Sequence, residues 1–478
     1  MHAPSPDGQA RLYARRADIF PRAIGGFYRR LKWAVMVATL AIYYVTPWIR
    51  WNRGPYAPDQ AVLVDLAHRR FYFFAIEIWP HEFYYVVGLL VMAGIGLFLV
   101  TTTVGRAWCG YACPQTVWTD LFLHIERAID GDRNAQVRLR KAPWSIAKAS
   151  RRLLKHGLWL GVGLVTGGAW VFYFADAPTL AHNFVTGQAA YVAYATIAIL
   201  TATTYVFGGF MREQVCLYMC PWPRIQGAML DERSLIVTYK DWRGEPRSHG
   251  LKRSETSGDC IDCQACVQVC PVGIDIRDGA QFACITCALC IDACDQMMAK
   301  IDRPRGLIDY ATLEDCKAEA AGAKPVPIRR TILRPRTIAY FSTWGAVGLA
   351  MVFALGARTR LDLAVGHDRN PLWVQLSDGA VRNAYTIKIR NMESRARPVA
   401  LTLEGLPGAA MWDSLTDDHR AARALGFVIA PDQVDTHRIY VRAPATGGQD
   451  FAFLLRAQDQ QRTHVRVAAR FERPEIQP

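Results

Sequence analysis

Residues 260–271 read CIDCQACVQVCP and residues 284–295 read CITCALCIDACD, so Cys260, Cys263, Cys266 and Cys270 recur as Cys284, Cys287, Cys290 and Cys294, each 24 residues further on. Each half has the CxxCxxCxxxC spacing in which three close thiolates hold three irons of a [4Fe-4S] cubane and the fourth cysteine reaches across to the other cluster. That logic assigns one cluster to Cys260, Cys263, Cys266 and Cys294 and the other to Cys284, Cys287, Cys290 and Cys270. Structural zinc sites use two CxxC pairs around a spacer, not three thiols at two-residue gaps followed by a fourth. Disulfides are disfavoured in a reducing compartment. Pro271 follows the fourth cysteine of the first half, whereas Asp295 stands at that place in the second; the change touches the turn and leaves the ligands intact.

The 478 residues around this core are 51% hydrophobic, enough for several domains. A net charge of +14 raises nucleic acid as a partner. The basic residues do not gather on one candidate helix, however; they flank apolar runs, so no nucleic-acid partner is expected and membrane lipid is. Residues 1–32 carry seven Arg or Lys and no apolar stretch long enough for a signal peptide, which reads as an uncleaved cytoplasmic segment. Five runs then have the length and apolarity of spans: Trp33–Ile49, Phe83–Val104, Gly157–Ala175, Ala189–Phe210 and Thr337–Ala357. A buried helix of a soluble protein is the alternative for each, and charge-free runs of this length argue against it.

Five spans alternate the intervening segments between two sides. Residues 50–82 hold four basic residues and 176–188 none, against ten in 105–156 and eighteen in 211–336, which places the basic segments and the clusters on the cytoplasmic side of a bacterial inner membrane. All 13 cysteines fall on that side, as thiols that must stay reduced require. No histidine lies inside a run; His81, His156 and His182 sit at edges, which argues against a membrane-embedded b-type cytochrome.

A second constellation follows two of the spans. Cys109-Gly-Tyr-Ala-Cys113-Pro114 lies just past the second and Cys216-Leu-Tyr-Met-Cys220-Pro221 just past the fourth. If each stretch is helical, the i, i+4 spacing sets both sulfurs on one face and the proline ends or kinks the turn. Four soft thiolates suit Cu(I), zinc or an iron-sulfur centre and suit Mg or Ca poorly; the bland alternative is small buried cysteines packing at helix ends. Cys316 stands outside both patterns and reads as a free cytoplasmic thiol.

Beyond the last run the pattern changes to a period of two: Tyr385, Ile387 and Ile389; Val399, Leu401 and Leu403; Ile439 and Val441; Phe451, Phe453 and Leu455; Val465 and Val467. Turn signals at Asp378-Gly379, Leu406-Pro407-Gly408 and Thr446-Gly447-Gly448 separate these segments. About seven strands without cysteine predict a disulfide-free, all-β immunoglobulin-like sandwich, read as a docking or assembly domain with structural bulk as the alternative. The fold expected is thus a multi-domain membrane protein. It has a cytoplasmic N-terminal segment over 1–32, four spans with the two CxxxCP motifs over 33–230, and a ferredoxin-like α+β insert for two [4Fe-4S] clusters over 231–336. The fifth span follows over 337–357 and a periplasmic sandwich over 358–478.

Together these features resemble the FixG/CcoG family, membrane-bound ferredoxin-like accessory proteins of cbb3-type cytochrome oxidase. The resemblance is carried by CGYACPQ at 109–115, CLYMCPWPRIQGAML at 216–230, CIDCQACVQVCPVGIDIRDGAQFACITCALCIDACDQMM at 260–298 and the C-terminal β domain. It implies a role in maturing the oxidase and an activity that reduces Cu(II) to Cu(I), with copper near Cys109, Cys113, Cys216 and Cys220. The implied partners are oxidase assembly factors and copper chaperones or transporters, with a cytoplasmic electron donor. Two other classes of function compete: a quinol-linked electron-transfer subunit, and a non-enzymatic assembly scaffold with structural or sensory clusters.

Overall fold

The computed structural model describes residues 18–248, 256–324, 332–416, 420–459 and 463–474. The first 17 residues of the expected N-terminal segment lie outside the described residues. Two compact units emerge, Met1–Ile49 with Gln60–Met351 and Arg50–Asp59 with Val352–Pro478.

In the first unit, α1 (Phe27–Val45) and α2 (Tyr84–Val104) cover the first two apolar runs. A small antiparallel sheet joins them, β1 (Val62–Asp65), β2 (Arg70–Phe73) and β3 (Ile76–Ile78), which the sequence reading missed because its strands are too short to show a period. Next come α3 (Ala107–Tyr111), α4 (Pro114–Asp130), α5 (Arg133–Lys141), α6 (Ile146–Val171) and α7 (Ala177–Thr186). The following apolar run is α8 (Tyr191–Thr204) continued by a π-helix over Tyr205–Met211. Among the described residues three helical stretches are long and apolar enough to cross a membrane, Pro80–Val104, Tyr191–Met211 and Pro335–Ala357. The other two runs lie in helices that start earlier than expected: α1 takes in Arg29, Arg30 and Lys32, and α6 takes in Lys148, Arg151, Arg152 and Lys155 together with His156. Pro47, near the end of the first apolar run, lies in a short 3-10 turn after α1.

Glycine lets the helices approach. A Cβ at Gly163 would stand 3.1 Å, and one at Gly167 3.0 Å, from carbonyl oxygens of α8, so this GxxxG pair seats α6 directly on α8 backbone. Charge joins α1 to α4: the buried Asp120 carboxylate accepts from Arg29 at 2.9 Å, with Lys32 Nζ 3.9 Å away. Burial alone would raise the Asp120 pKa, but the Lys32 and Arg29 charges outweigh it and hold the carboxyl below its ordinary range.

The chain then runs through α9 (Trp222–Met229), β4 (Ile236–Tyr239) and α10 (Asp241–Gly244) to the cysteine-rich segment. There α11 (Ala265–Gln268) and α12 (Leu289–Lys300) pack on an antiparallel pair made by β4 and β5 (Ile308–Ala311), the expected α+β arrangement. This segment belongs to the same compact unit as the helices. After α13 (Leu313–Ala320), which carries Cys316, the last apolar run is α14 (Pro335–Ala357).

The second unit contains a sandwich of two antiparallel sheets. One has the order β10 (Ala410–Asp413), β12 (Gln433–Ala443), β8 (Val381–Asn391), β6 (Leu361–His367), with β7 (Val374–Gln375) paired to β8. The other has the order β11 (Ala424–Ile429), β9 (Arg397–Glu404), β13 (Asp450–Ala457), β14 (His464–Arg470). The period-two residues of β8, β9, β12 and β13 form its core, while Val465 and Val467 pack against that core half-buried. Replacing Asp120 with Ala would leave Arg29 and Lys32 buried without their anion, a change that costs about 3–5 kcal/mol. Thermal unfolding of detergent-solubilised Asp120→Ala is expected at clearly lower temperature than the parent; an unchanged midpoint would show that the pair contributes nothing.

Candidate redox centre

The two cysteine loops share a backbone that few sequences adopt. Asp262 and Gln264 in the first loop, and Thr286 and Ala288 at the same places in the second, are non-glycine residues at φ 49°, 55°, 51° and 60°. Left-handed L-residues carry strain that surrounding structure must hold. Its recurrence at matched positions fits loops wrapped around the same kind of object. Each loop leads into a helix, α11 or α12, and the amide of Thr286 donates to Cys284 Sγ at 3.4 Å.

The thiols fall into two groups. Cys294 feels Cys260, Cys263 and Cys266, and Cys270 lies with Cys284, Cys287 and Cys290. Burial, reinforced by neighbouring thiols, pushes Cys266 and Cys284 up to about 11 and Cys270 and Cys294 up to about 12. Among the described residues no group of three or more His, Cys, Asp or Glu closes on a single ion. Two quartets of soft donors on strained loops, buried or half-buried except for the exposed Cys263, fit [4Fe-4S] clusters, which are held at their corners.

The CxxxCP motifs are built alike, though not as the helical reading expected. Cys109 lies within α3 and Cys216 within a π-helical turn over Val215–Met219, but Cys113 and Cys220 have left the helix for extended backbone, φ/ψ −61°/129° and −81°/126°. Their amides bond five residues back, to Trp108 at 2.9 Å and Val215 at 2.8 Å. Pro114 is the first residue of α4 and Pro221 the cap of α9, so each proline opens the next helix instead of ending the last. All four thiols interact electrostatically. Burial raises Cys109 to about 11 and Cys216 to about 12, and raises Cys113 as well. The Cys109 thiol donates to Gln226 Oε1 at 3.1 Å, and Gln226 Nε2 donates to Thr101 at 3.2 Å.

The two constellations touch. A Cβ on Gly110 would lie 2.6 Å from the Ile285 carbonyl oxygen and 3.1 Å from the Cys287 Cα and amide nitrogen, so the CGYAC turn rests on the second cluster loop. Tyr111 donates to the Cys287 carbonyl at 3.1 Å, and Cys109 shares a buried apolar cluster with Ile285, Cys287 and Leu289. A water-sized crevice beside Cys216 is bordered by Val272 and Ile285 of the cysteine-rich segment and by Asp120 and Glu213. Cys316 stays apart, half-buried, with Sγ 3.8 Å from Thr238. Sequence reading missed Gly110, Tyr111, Arg106 and Gln226 as parts of this site. Gly110, Tyr111 and Gln226 stand inside quoted motifs, but only contact gives them a role.

Comparison with known proteins agrees with this construction. A family model described as "4Fe-4S dicluster domain" matches residues 211–313, "4Fe-4S binding domain" matches 86–130, and "IG-like fold at C-terminal of FixG" matches 351–474. The chain is 57% identical over 462 residues to "Nitrogen fixation protein FixG" of Rhizobium meliloti, covering 91% of this chain and 88% of the relative. It is 56% identical over 434 residues to "Protein RdxA" of Cereibacter sphaeroides, covering 91% of each. The chain belongs to the FixG/CcoG family. As a member of it, this is a membrane protein that carries iron-sulfur clusters and transfers electrons. The match over 86–130 spans Cys109 and Cys113 and none of the eight cysteines of the two CxxCxxCxxxC blocks.

Because burial keeps Cys109 and Cys216 protonated at neutral pH, a soft metal ion taken up there must displace their protons. If these thiols take up Cu(I), its affinity, measured by chelator competition between pH 6 and 8, weakens as pH falls, by up to about tenfold per unit for each thiolate formed. An affinity independent of pH would exclude these thiols as ligands.

Proposed function

We propose that this FixG/CcoG member reduces Cu(II) to Cu(I) at Cys109, Cys113, Cys216 and Cys220 during assembly of a cbb3-type cytochrome oxidase. The observation that carries this reading is the contact of Cys109, Gly110 and Tyr111 with Ile285 and Cys287, which sets the four thiols beside a cluster-binding loop. Cys260, Cys263, Cys266 and Cys294 would hold one cluster and Cys284, Cys287, Cys290 and Cys270 the other. When bound, the clusters supply the single electron that each Cu(II) takes up. Cys109 and its three partners hold the copper substrate, and as soft ligands they favour the Cu(I) product. Release then passes copper to a partner with competing soft ligands, a chaperone or transporter.

In the same reading α1, α2, α6, α8 and α14 are five spans. The basic segments and both clusters face the cytoplasm and its electron donor, and the C-terminal sandwich faces the periplasm, where it docks assembly factors.

A second reading, quinol as the electron source, is favoured by one feature. A cavity of about 670 Å³ lies between α1, α4, α6 and α8, lined by Tyr43, Gln115, Trp118, Trp170 and Phe207 among others. It adjoins Ala112 and Pro114 of the first CxxxCP motif, and the buried Trp118 indole N–H has no hydrogen-bond partner among the described residues. A flat ring bearing carbonyls, carried on an apolar tail, suits such a space.

One pair of substitutions separates the readings. Cys109→Ser with Cys113→Ser is expected to leave iron content unchanged and to abolish Cu(I) formation from Cu(II) by the chemically reduced protein. Loss of iron would show the pair to be cluster ligands, and rapid bleaching of the clusters by a short-chain quinol without copper would favour the second reading.

A further inference from the structure

Arg106 immediately precedes α3 and is only 4% exposed. Its Nη1 donates to the Phe282 carbonyl, its guanidinium stands 5.6 Å from the Phe282 ring centroid, and among the described residues its Nε has no hydrogen-bond partner. Among the described residues no carboxylate pairs with it. A buried cation without an anion is costly, so something in its surroundings must balance it when the protein is loaded. The groups on which its charge acts are the Cys109, Cys216 and Cys284 thiols, two from the CxxxCP motifs and one from the second cluster loop.

The other cysteine group has a different counter-charge. Arg277 acts on Cys266, but two carboxylates neutralise it, Asp262 and Asp275, each at 2.6 Å. Asp295 adds a further negative charge beside Cys294. One quartet therefore sits near a cation with an excess of anions, and the other near a cation with no anion of its own.

We infer that Arg106 is the shared counter-cation of the second cluster and the four membrane-side thiols, and that it makes the second cluster the higher-potential member of the pair. The inference rests on the two-cluster reading given above. Adding an electron adds negative charge, which an uncompensated cation favours and surplus carboxylates oppose. The preferred resting place of an electron is then the cluster loop that touches Gly110, beside the thiols, whichever donor supplies it. Arg106 acts through the ligands and is a positioning residue.

EPR-monitored redox titration of the full-length, iron-loaded protein tests this, with iron counted on the same samples. About eight irons and two reduction waves in the parent protein establish the two-cluster reading separately. Arg106→Gln is expected to move the higher-potential wave alone to more negative potential, with Arg106→Lys returning it toward the parent value. Asp275→Asn, which partly frees the Arg277 charge, is expected to raise the lower wave alone. The proposal is overturned if Arg106→Gln moves the lower wave, both waves equally or neither. It is likewise overturned if Arg106→Lys shifts the wave as far as Arg106→Gln does, because shape and not charge would then be responsible. Should Arg106→Gln fail to retain its clusters, Arg106→Lys and Asp275→Asn still decide: Asp275→Asn must raise the lower wave and Arg106→Lys must leave that wave in place, and either failure overturns the proposal.

Discussion

The absence of a side chain at Gly110 sets the closest approach between the CxxxCP turn and the second cluster loop. With its Cα against Ile285 and Cys287 backbone, the turn that carries Cys109 and Cys113 cannot shift without moving the loop that carries Cys284, Cys287 and Cys290. Interiors are packed too densely for such a contact to be loose. Tyr111 fixes the rotation of the turn by donating to the Cys287 carbonyl, and Gln226 fixes the Cys109 thiol by accepting its hydrogen bond. Because electron transfer depends on distance, a backbone-on-backbone contact is the economical way to hold two sets of thiols close without a covalent link.

The rest of the first unit keeps that contact in place. The N-terminus of α1 docks on the cluster helix: Asp292, between Cys290 and Cys294, accepts from the Tyr28 and Arg29 amides at 3.3 and 2.8 Å. An anion there satisfies orphan donors and complements the helix dipole. Gly26 permits the approach, since a Cβ there would lie 2.2 Å from the Asp292 carboxyl carbon. Arg29 then turns its side chain to Asp120 on α4, the helix opened by the first CxxxCP proline. One residue thus links the cluster-loop helix α12, α1 and the helix that follows the first thiol motif.

Much of this was legible in the primary structure. The period of 24 between two CxxCxxCxxxC blocks proposes both thiol quartets, and the two loops repeat their left-handed backbone positions at that same period. Alternation gave the sandwich core down to Tyr385, Ile387 and Ile389, since a strand period of two maps directly onto burial. The helix ends were harder. Arg29 and Lys32 read as flanking charge, yet both are buried within α1, because Asp120 arrives from a segment 91 residues away. A helical reading of the CxxxCP motifs would set both sulfurs on one face, but an amide hydrogen bond reaching five residues back frees the second cysteine in each, a feature that spacing does not encode. Arg106 looked like the end of a span; only the lack of a carboxylate partner among the described residues and the three thiols its charge acts on give it a role.

The central claim, that the four membrane-side thiols and the clusters form one redox unit, meets its most direct test in anaerobic stopped-flow mixing. The chemically reduced protein is mixed with one equivalent of Cu(II), with cluster absorbance and chelated Cu(I) followed together. The account predicts that both signals change with the same rate constant and in equal amounts. Cu(I) appearing while the clusters remain reduced, or clusters oxidising without Cu(I), would contradict it.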